Sequence, residues 1–263
     1  EKADVFLQNW PPGVAERLGV DYETLRELNE DLVYVHVTGY GEDGPMADRA
    51  AMDTAVQHIS GHSSLMGYDD GNPPIRAQTS LGDYYAGTNA AVAALGALRH
   101  RDRGNGGQKV EISMLEALMH NLDSAFELYN NVEGYEFEKG GRNSYKYPDQ
   151  LYGAAETKDG WICVAFYLNS EGVFRGFCEL VGREDFLEDP RYEDATNRLE
   201  DAAKFTEILE DWMRERSSEE CMGKLSDAGI PVAPHNTVPE AAEMEHVDER
   251  DVVRLLSEVG HRL

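Results

Sequence analysis

Apolar residues in the first part of the chain alternate between strand-like runs and helical spacing. The segments "ADVFLQNW" and "LVYVHVTGYG" are apolar and rich in β-branched residues, the pattern of strands covered on both faces in a parallel sheet. Between them, "DYETLRELNEDL" places Leu25, Leu28 and Leu32 on one helical side. Strands that alternate with helices predict an α/β domain.

The same alternation continues to about residue 131. Apolar residues with near-helical spacing predict a helix over residues 48–66. A long helix of small residues follows Asp83 and is expected to end at Gly104, because a basic turn precedes that glycine. The segment "KVEIS" is typical of a strand, and "MLEALMHNLDSAFELYNN" predicts one further helix.

The second half has a different character, with a polar segment rich in glycine and tyrosine at its start. A hairpin is predicted around "KDG", two amphipathic helices near residues 171–181 and 201–215, and then a helix, a glycine stop and a strand. These elements predict a second, smaller α+β domain. The predicted organisation is a large domain over 1–128, a linker over 129–150, a small domain over 151–238 and a return linker over 239–263.

The net charge limits the kinds of molecule that the protein is expected to bind. The 263 residues include 50 acidic and 24 basic ones, a net charge of −26, and such a field repels nucleic-acid phosphates. Only seven of the basic residues are lysine, and a dispersed acidic, lysine-poor surface indicates adaptation to a cytoplasm with molar salt. No apolar run approaches the roughly 20 residues of a membrane span and no signal-peptide pattern opens the chain, so we expect a cytoplasmic protein that does not bind membranes.

Cysteine and histidine spacing does not predict a metal centre. Cys163, Cys178 and Cys221 lack C-x-x-C spacing and are interpreted as free thiols in a reducing compartment. His58 and His62 are four residues apart, but Gly61 interrupts the helical pattern, no glutamate follows His58, and no third ligand is evident. We therefore expect no metal.

Sequence motifs of nucleotide-binding proteins and of serine hydrolases are weak or absent in this chain. "GYGEDG", residues 39–44, fits G-x-G-x-x-G after a strand, but Pro45 and Met46 follow it where a phosphate-facing helix would begin. A tight turn that lines a ligand crevice is the better interpretation. No G-x-S-x-G elbow and no phosphate-binding loop occur in the sequence.

Asp83, in "SLGDYYAG", has two compatible interpretations. As a helix cap, its carboxylate would accept a hydrogen bond from the backbone of Tyr85 or Ala86, which stabilises by about 1 kcal/mol. As a nucleophile, it would be kept ionised by the helix dipole, with small residues leaving room for a bulky thioester. Local sequence favours the cap and does not exclude the nucleophile.

Longer blocks of the sequence resemble the class III CoA-transferases, of the CaiB/BaiF type. "ADVFLQNWPPGVAERLGVDYETLRELNEDLVYVHVTGYGEDGP" and "GDYYAGTNAAVAALGALRHRDRGNGGQKVEISMLEALM" are similar to two motif blocks of that family, in the same order. "DGWICVAF", "FCELVGREDFLEDPRYEDATNR" and "AGIPVAPHNTVPE" are similar to its small domain. The family includes formyl-CoA and carnitine CoA-transferases and α-methylacyl-CoA racemases.

The resemblance implies a Rossmann-like large domain with a parallel sheet and a small α+β domain, joined by long linkers in an interlocked homodimer. It also implies that this chain is a piece of a longer protein, without the family's first segment and its C-terminal return segment. Asp83 falls on the family's nucleophile. Positions expected to line the CoA or substrate site are Asn9, Trp10, Arg17, Tyr40, Met52 and Asp53.

One departure separates the subfamilies. The racemases carry a histidine before an aspartate in "G-H-D", whereas this chain has "AMD", with Met52 before Asp53. Methionine cannot move a proton, so a two-base racemase loses one of its bases. We therefore expect a CoA-transferase that acts on an acyl-CoA and a small carboxylic acid, with succinate and mesaconate as candidates and no permanently bound cofactor.

Two alternatives stay open at this point. One is a racemase or intramolecular CoA isomerase of the same fold. The other is an acyl-CoA-binding protein without turnover, which the presence of Asp83 disfavours.

Overall fold

The computed structural model describes residues 2–144, 146–147 and 149–253. The chain divides into two compact units, Glu1–Gly141 and Arg142–Leu263. The narrower limits given above for domains and linkers stay a prediction.

A three-stranded parallel sheet forms the centre of the first unit. Its strands are β1 (Val5–Gln8), β2 (Val33–Thr38) and β3 (Lys109–Ser113), in the order β1-β2-β3. The central strand is the most buried one, and Val33 and Val35 are fully buried. The predicted parallel α/β sheet is confirmed.

Helices make up much of the rest of the first unit, and the longest of them packs against β2 and β3. They are α1 (Val14–Leu18), α2 (Tyr22–Leu28), α3 (Asp53–Ile59), α4 (Leu81–His100), α5 (Met114–His120) and α6 (Ala125–Asn131). The small side chains of α4 allow a close approach to the sheet, and Ala90 and Ala97 pack against the buried valines of β2. A π-helical turn, Arg101–Asn105, follows α4, with Gly104 at a φ of 85°.

Two predicted helices are shorter than the sequence pattern indicates. The helix predicted over 48–66 begins only at Asp53 and ends at Ile59, because Gly61 takes a left-handed φ of 89° and a short 3₁₀ turn follows at His62–Leu65. The helix predicted over residues 114–131 is broken into α5 and α6, with Asp123 at a φ of 55° between them.

The second unit is built on an antiparallel sheet. Strands β4 (Tyr152–Glu156), β5 (Trp161–Ala165) and β6 (Val232–Pro234) pair in that order, so the predicted hairpin around "KDG" is confirmed. Its helices are α7 (Glu171–Val181), α8 (Asp185–Glu188), α9 (Ala195–Glu200), α10 (Ala202–Arg214), α11 (Ser218–Asp227), α12 (Val238–Ala242) and α13 (Glu245–Glu249).

An aromatic and aliphatic core holds the second unit together. Phe166, Phe177, Phe205 and Leu209 are fully buried in it, and the rings of Phe177 and Phe205 meet edge to face at 5.7 Å. Burial of about 1.5–3 kcal/mol per large side chain makes this cluster the main source of the unit's stability. The return linker predicted over 239–263 contains α13, and its residues 254–263 lie outside the described part of the chain.

The three cysteines lie within the described residues, and they differ in burial. All three cysteines are free thiols; Cys178 and Cys221 are buried, whereas Cys163 is exposed. Burial raises the pKa of the Cys178 thiol to about 12, which makes it a poor nucleophile.

In the described part of the chain, no helix combines the length and the apolar character that crossing a membrane requires.

Candidate active site

A cavity of about 810 Å³ opens at the carboxyl end of the parallel sheet. Its walls come from the segment after β1, the end of β2, the loop before α3 and the first turns of α4. Parallel α/β sheets place their ligand sites at this edge, where the loops that follow the strands converge.

Asp83 lies on the α4 side of the cavity. Helix α4 begins at Leu81, so Asp83 is its third residue and does not precede the helix. The interpretation of Asp83 as the N-cap is wrong: Ser80 holds the cap position, and no side chain makes the capping hydrogen bond there.

The Asp83 carboxylate has no hydrogen-bond partner among the described residues. Burial, followed by the negative charge of Asp53, raises the pKa of Asp83 above its ordinary value. The residue is exposed to solvent, and a carboxylate without hydrogen bonds keeps its lone pairs available for a reaction. Its surroundings therefore favour chemistry over a structural role.

Asp53 connects the starts of α3 and α4. It is buried, its Oδ1 accepts a hydrogen bond from the Gly82 backbone N–H at 2.8 Å, and its Oδ2 accepts one from Gln57 Nε2 at 2.8 Å. Asp53 thus binds an N–H group in the first turn of α4, directly before Asp83. Gly82 suits this close approach, since a Cβ there would lie 3.2 Å from Asp53 Oδ1 and 3.4 Å from Val56 Cγ1, and these side chains would have to move by a few tenths of an ångström.

Gln57 is the buried centre of the same hydrogen-bond network. Its Nε2 also donates to the Thr79 carbonyl at 3.0 Å, and its Oε1 accepts from the Ala77 backbone N–H at 2.8 Å. The side chain is fully buried, and these bonds satisfy its polar atoms, as burial requires. Gln57 and Asp53 together fix the chain that leads into α4.

Another wall of the cavity is formed by the segment that follows β1. Asn9, Trp10, Pro11 and Pro12 all line it. The Trp10 backbone N–H donates to Gln8 Oε1 at 2.7 Å, and its carbonyl lies 2.9 Å from His36 Nε2. This wall is therefore held by two buried polar side chains of the sheet.

The "GYGEDG" segment forms a turn after β2. The Gly41 backbone N–H donates to Thr38 Oγ1 at 2.9 Å, and Gly41 and Gly44 have φ values of 98° and 83° that other residues rarely adopt. Glu42 folds back to pair with His36 and Lys109. This agrees with the interpretation of the motif as a tight turn.

A second glycine explains how the loop before α3 reaches the sheet. A Cβ on Gly39, at the end of β2, would lie only 2.1 Å from Ala51 Cβ. The absence of a side chain at Gly39 lets the loop carrying Ala51 and Met52 cross the strand end, which places Met52 on the cavity wall.

Five of the seven positions predicted to form the site line this cavity. They are Asn9, Trp10, Met52, Asp53 and Asp83. Arg17, an exposed residue of α1, and Tyr40, in the turn after β2, are not among the residues that line it. Their assigned contacts with CoA stay predictions.

The two histidines considered as ligands do not form a metal centre. His58 lies on α3 and its Nδ1 contacts the Thr54 carbonyl at 2.8 Å, whereas His62 lies in the following 3₁₀ turn. Within residues 2–144, 146–147 and 149–253, no group of three or more potential ligands is placed to hold a metal ion.

Sequence reasoning missed Gln57 and His36. Gln57 is four residues after Asp53 in a predicted helix, a spacing at which side chains meet, and this was the available signal. His36 is an ionisable residue within an apolar strand, which also marks a buried polar partner.

A family comparison decides the class of protein to which this site belongs. The model of CoA-transferase family III matches residues 1–261. The chain belongs to CoA-transferase family III. Asp83 and its cavity therefore belong to a family III protein.

Three relatives have curated names that describe CoA transfer. The chain is 29% identical to the acetyl-CoA:oxalate CoA-transferase of Acetobacter aceti, over 96% of this chain and 64% of that protein. It is 28% identical to the succinyl-CoA–L-malate CoA-transferase beta subunit of Chloroflexus aurantiacus, over 94% and 60%. Its identity to the succinyl-CoA:mesaconate CoA-transferase of Haloarcula hispanica is 26%, over 99% and 64%. The chain thus spans less than two thirds of the length of these relatives.

Solved structures agree with the fold. A crystal structure from Mycobacterium tuberculosis matches with a TM-score of 0.78 and 26% identity, over 95% of this chain and 65% of that one. A CAIB/BAIF family protein from Brucella suis matches with a TM-score of 0.73 and 25% identity, over 95% and 64%.

Proposed function

We propose that the protein to which this chain belongs transfers CoA from an acyl-CoA donor to a carboxylic acid through a covalent intermediate on Asp83. The observation that carries the proposal is the Asp83 carboxylate, without a hydrogen-bond partner among the described residues and facing a cavity at the carboxyl end of the sheet. Membership of CoA-transferase family III supports it.

The first half of the proposed reaction releases the donor acid. A carboxylate oxygen of Asp83 attacks the thioester carbonyl, the C–S bond breaks, and CoA leaves as a thiolate, so that a mixed anhydride remains on Asp83. The thiolate then attacks the aspartyl carbonyl of the anhydride. The donor acid departs as a carboxylate, and an aspartyl-CoA thioester is left.

The second half repeats these steps with the acceptor. The acceptor carboxylate attacks the aspartyl thioester and displaces the CoA thiolate, which gives a second anhydride. The thiolate attacks the acyl carbon of the acceptor, and the Asp83 carboxylate is regenerated. Bonds and charge balance at each step, and thioester energy is conserved, so the sequence needs no redox change.

We propose small dicarboxylic acids as acceptors. The relatives named above carry oxalate, malate, mesaconate and succinyl-CoA in their names. The assay is CoA exchange by the whole protein between succinyl-CoA and a panel of carboxylic acids, with monocarboxylic acids as controls. If no acyl-CoA in a broad donor panel gives exchange, the proposed function is wrong.

Met52 provides a test against the racemase alternative. Its exposed side chain lines the cavity at the position where the resembling racemases carry histidine, and a thioether cannot act as a proton-transfer base. We expect the protein not to incorporate deuterium rapidly at the α-carbon of a 2-methylacyl-CoA in heavy water, followed by mass spectrometry. Rapid incorporation without CoA exchange would favour the racemase.

Assembly as a homodimer is proposed from the family resemblance and is a matter for the whole protein. Light scattering over a range of dilutions tests it. A dimer that persists on dilution until it unfolds agrees with interlocked subunits, whereas an active monomer contradicts them.

Adaptation to a salt-filled cytoplasm is proposed from the net charge of −26. Self-repulsion of the acidic surface is screened as counterions accumulate, so we expect the melting temperature to rise steeply between low and molar KCl. The measurement is thermal unfolding over a KCl series. A flat or falling curve would contradict the proposal.

A further inference from the structure

We propose that His36 is a positioning residue that holds the Trp10 wall of the cavity in place for binding of an acyl-CoA, a role that rests on the proposed function. His36 is only 4% exposed within β2, and its Nε2 lies 2.9 Å from the Trp10 carbonyl oxygen. Trp10 lines the same cavity as Asp83. His36 therefore acts on the site through the Trp10 main chain, without lining the cavity.

The partners of the ring fix the direction of this hydrogen bond. A carbonyl oxygen only accepts, so His36 Nε2 carries a proton and donates it. His36 Nδ1 is bound to Glu42, whose carboxylate is also paired with Lys109 on β3. Burial alone would raise the pKa of Glu42, but hydrogen bonds and charge from Lys109 and His36 outweigh it and lower that pKa below its ordinary value. Glu42 thus holds the imidazole ring in place as an acceptor.

The Trp10 main chain has a second buried anchor. Its N–H donates to Gln8 Oε1 at 2.7 Å. Gln8 and His36 are direct neighbours across β1 and β2, so adjacent side chains of the sheet bind the N–H and the carbonyl of one residue. A strand end held at both groups presents its side chain in one orientation, and less ordering is needed when a ligand binds.

Replacement of His36 by phenylalanine tests the proposal because it keeps the ring and removes both hydrogen bonds. Loss of one hydrogen bond that contributes about 1 kcal/mol to binding raises a dissociation constant about fivefold to tenfold. We expect the Kd for CoA, measured by calorimetry, and the KM for acyl-CoA to rise about fivefold to tenfold. The kcat at saturation should stay within about twofold, because Asp83 and its own network are untouched.

Two further variants separate positioning from general destabilisation. His36→Gln keeps an N–H donor and should recover most of the affinity, and Gln8→Leu removes the other anchor and should raise the Kd in the same direction. His58→Phe is the matched control: this histidine also contacts a carbonyl, on α3, but does not line the cavity, and CoA affinity should be unchanged.

The outcomes distinguish this inference from the proposed function. If His36→Phe is folded by thermal melting and binds CoA as tightly as the wild type, His36 has no positioning role, whatever the rate of exchange. If it does not fold, an unchanged Kd in Gln8→Leu overturns the proposal in the same way. If the wild type binds CoA but exchanges none, and the Kd still rises in these variants, the positioning role holds while the transferase assignment fails.

Discussion

Replacing Asp83 by asparagine is expected to lower CoA exchange by roughly four orders of magnitude or more, without lowering the melting temperature. An amide cannot form the anhydride, and loss of a covalent nucleophile removes most of an enzyme's rate enhancement. Asp83 makes no capping hydrogen bond, so the helix loses no such bond. The measurements are exchange rates and thermal unfolding of both proteins.

The sign of the stability effect follows from the ionisation of Asp83. Burial and the charge of Asp53 raise its pKa in the folded protein. A carboxyl group with a raised folded pKa loses stability as the pH rises from its ordinary pKa through the folded one, and the loss persists above. Asp83→Asn should therefore have an equal or slightly higher melting temperature at pH 7, with a smaller difference in acid. A clear loss of stability at pH 7, with exchange retained, would support a structural role instead.

A covalent adduct gives the complementary evidence for the same residue. Wild-type protein incubated with a donor acyl-CoA alone should carry an adduct on the peptide that contains "SLGDYYAG", and hydroxylamine should remove it. Asp69→Asn, in an exposed loop outside the cavity, is the control and should form the same adduct. The absence of any adduct during active exchange would contradict covalent catalysis by Asp83.

Regular elements could be predicted from sequence wherever one face of an element is apolar. The β2 segment is mostly apolar, and all of its residues except Val37 are buried, as expected. The helix predicted over 48–66 begins later than expected, at Asp53. The spacing of apolar residues contains no information about the close approach of Ala51 to Gly39. Such contacts between distant segments determine where a helix can begin, and no local pattern contains them.

As with the fold, local sequence predicted part of the site, whereas contacts between segments distant in sequence could not be predicted. Asp83 could be found because an acidic residue beside small helical residues is unusual, but its place inside the first turn depends on Asp53. The bond from the Gly82 N–H to Asp53 spans 29 positions in sequence. Gln57 likewise owes its role to Ala77 and Thr79, 20 and 22 residues away, so its importance appears only once α3 and α4 are packed together.

Asp53→Asn is expected to lower kcat by roughly 100-fold and to move the acid limb of its pH profile to lower pH. Both Asp53 oxygens accept from N–H groups, and an amide can replace only one of these acceptors. Gln57 cannot turn to compensate, because its own oxygen accepts from the Ala77 N–H. The start of α4 would shift, and a displacement of about 1 Å in a catalytic group costs about 100-fold in rate.

The direction of the pH shift follows from the charge that is removed. The negative charge of Asp53 contributes to the raised pKa of Asp83, so the neutral amide should lower that pKa and keep the nucleophile ionised in more acidic solution. Part of the rise should remain, because burial is its first cause. The measurement is kcat as a function of pH for wild type, Asp53→Asn and Asp53→Glu. The glutamate variant keeps the charge and should keep the acid limb closer to that of the wild type, whereas an acid limb unchanged in Asp53→Asn would show that the two carboxylates are not coupled.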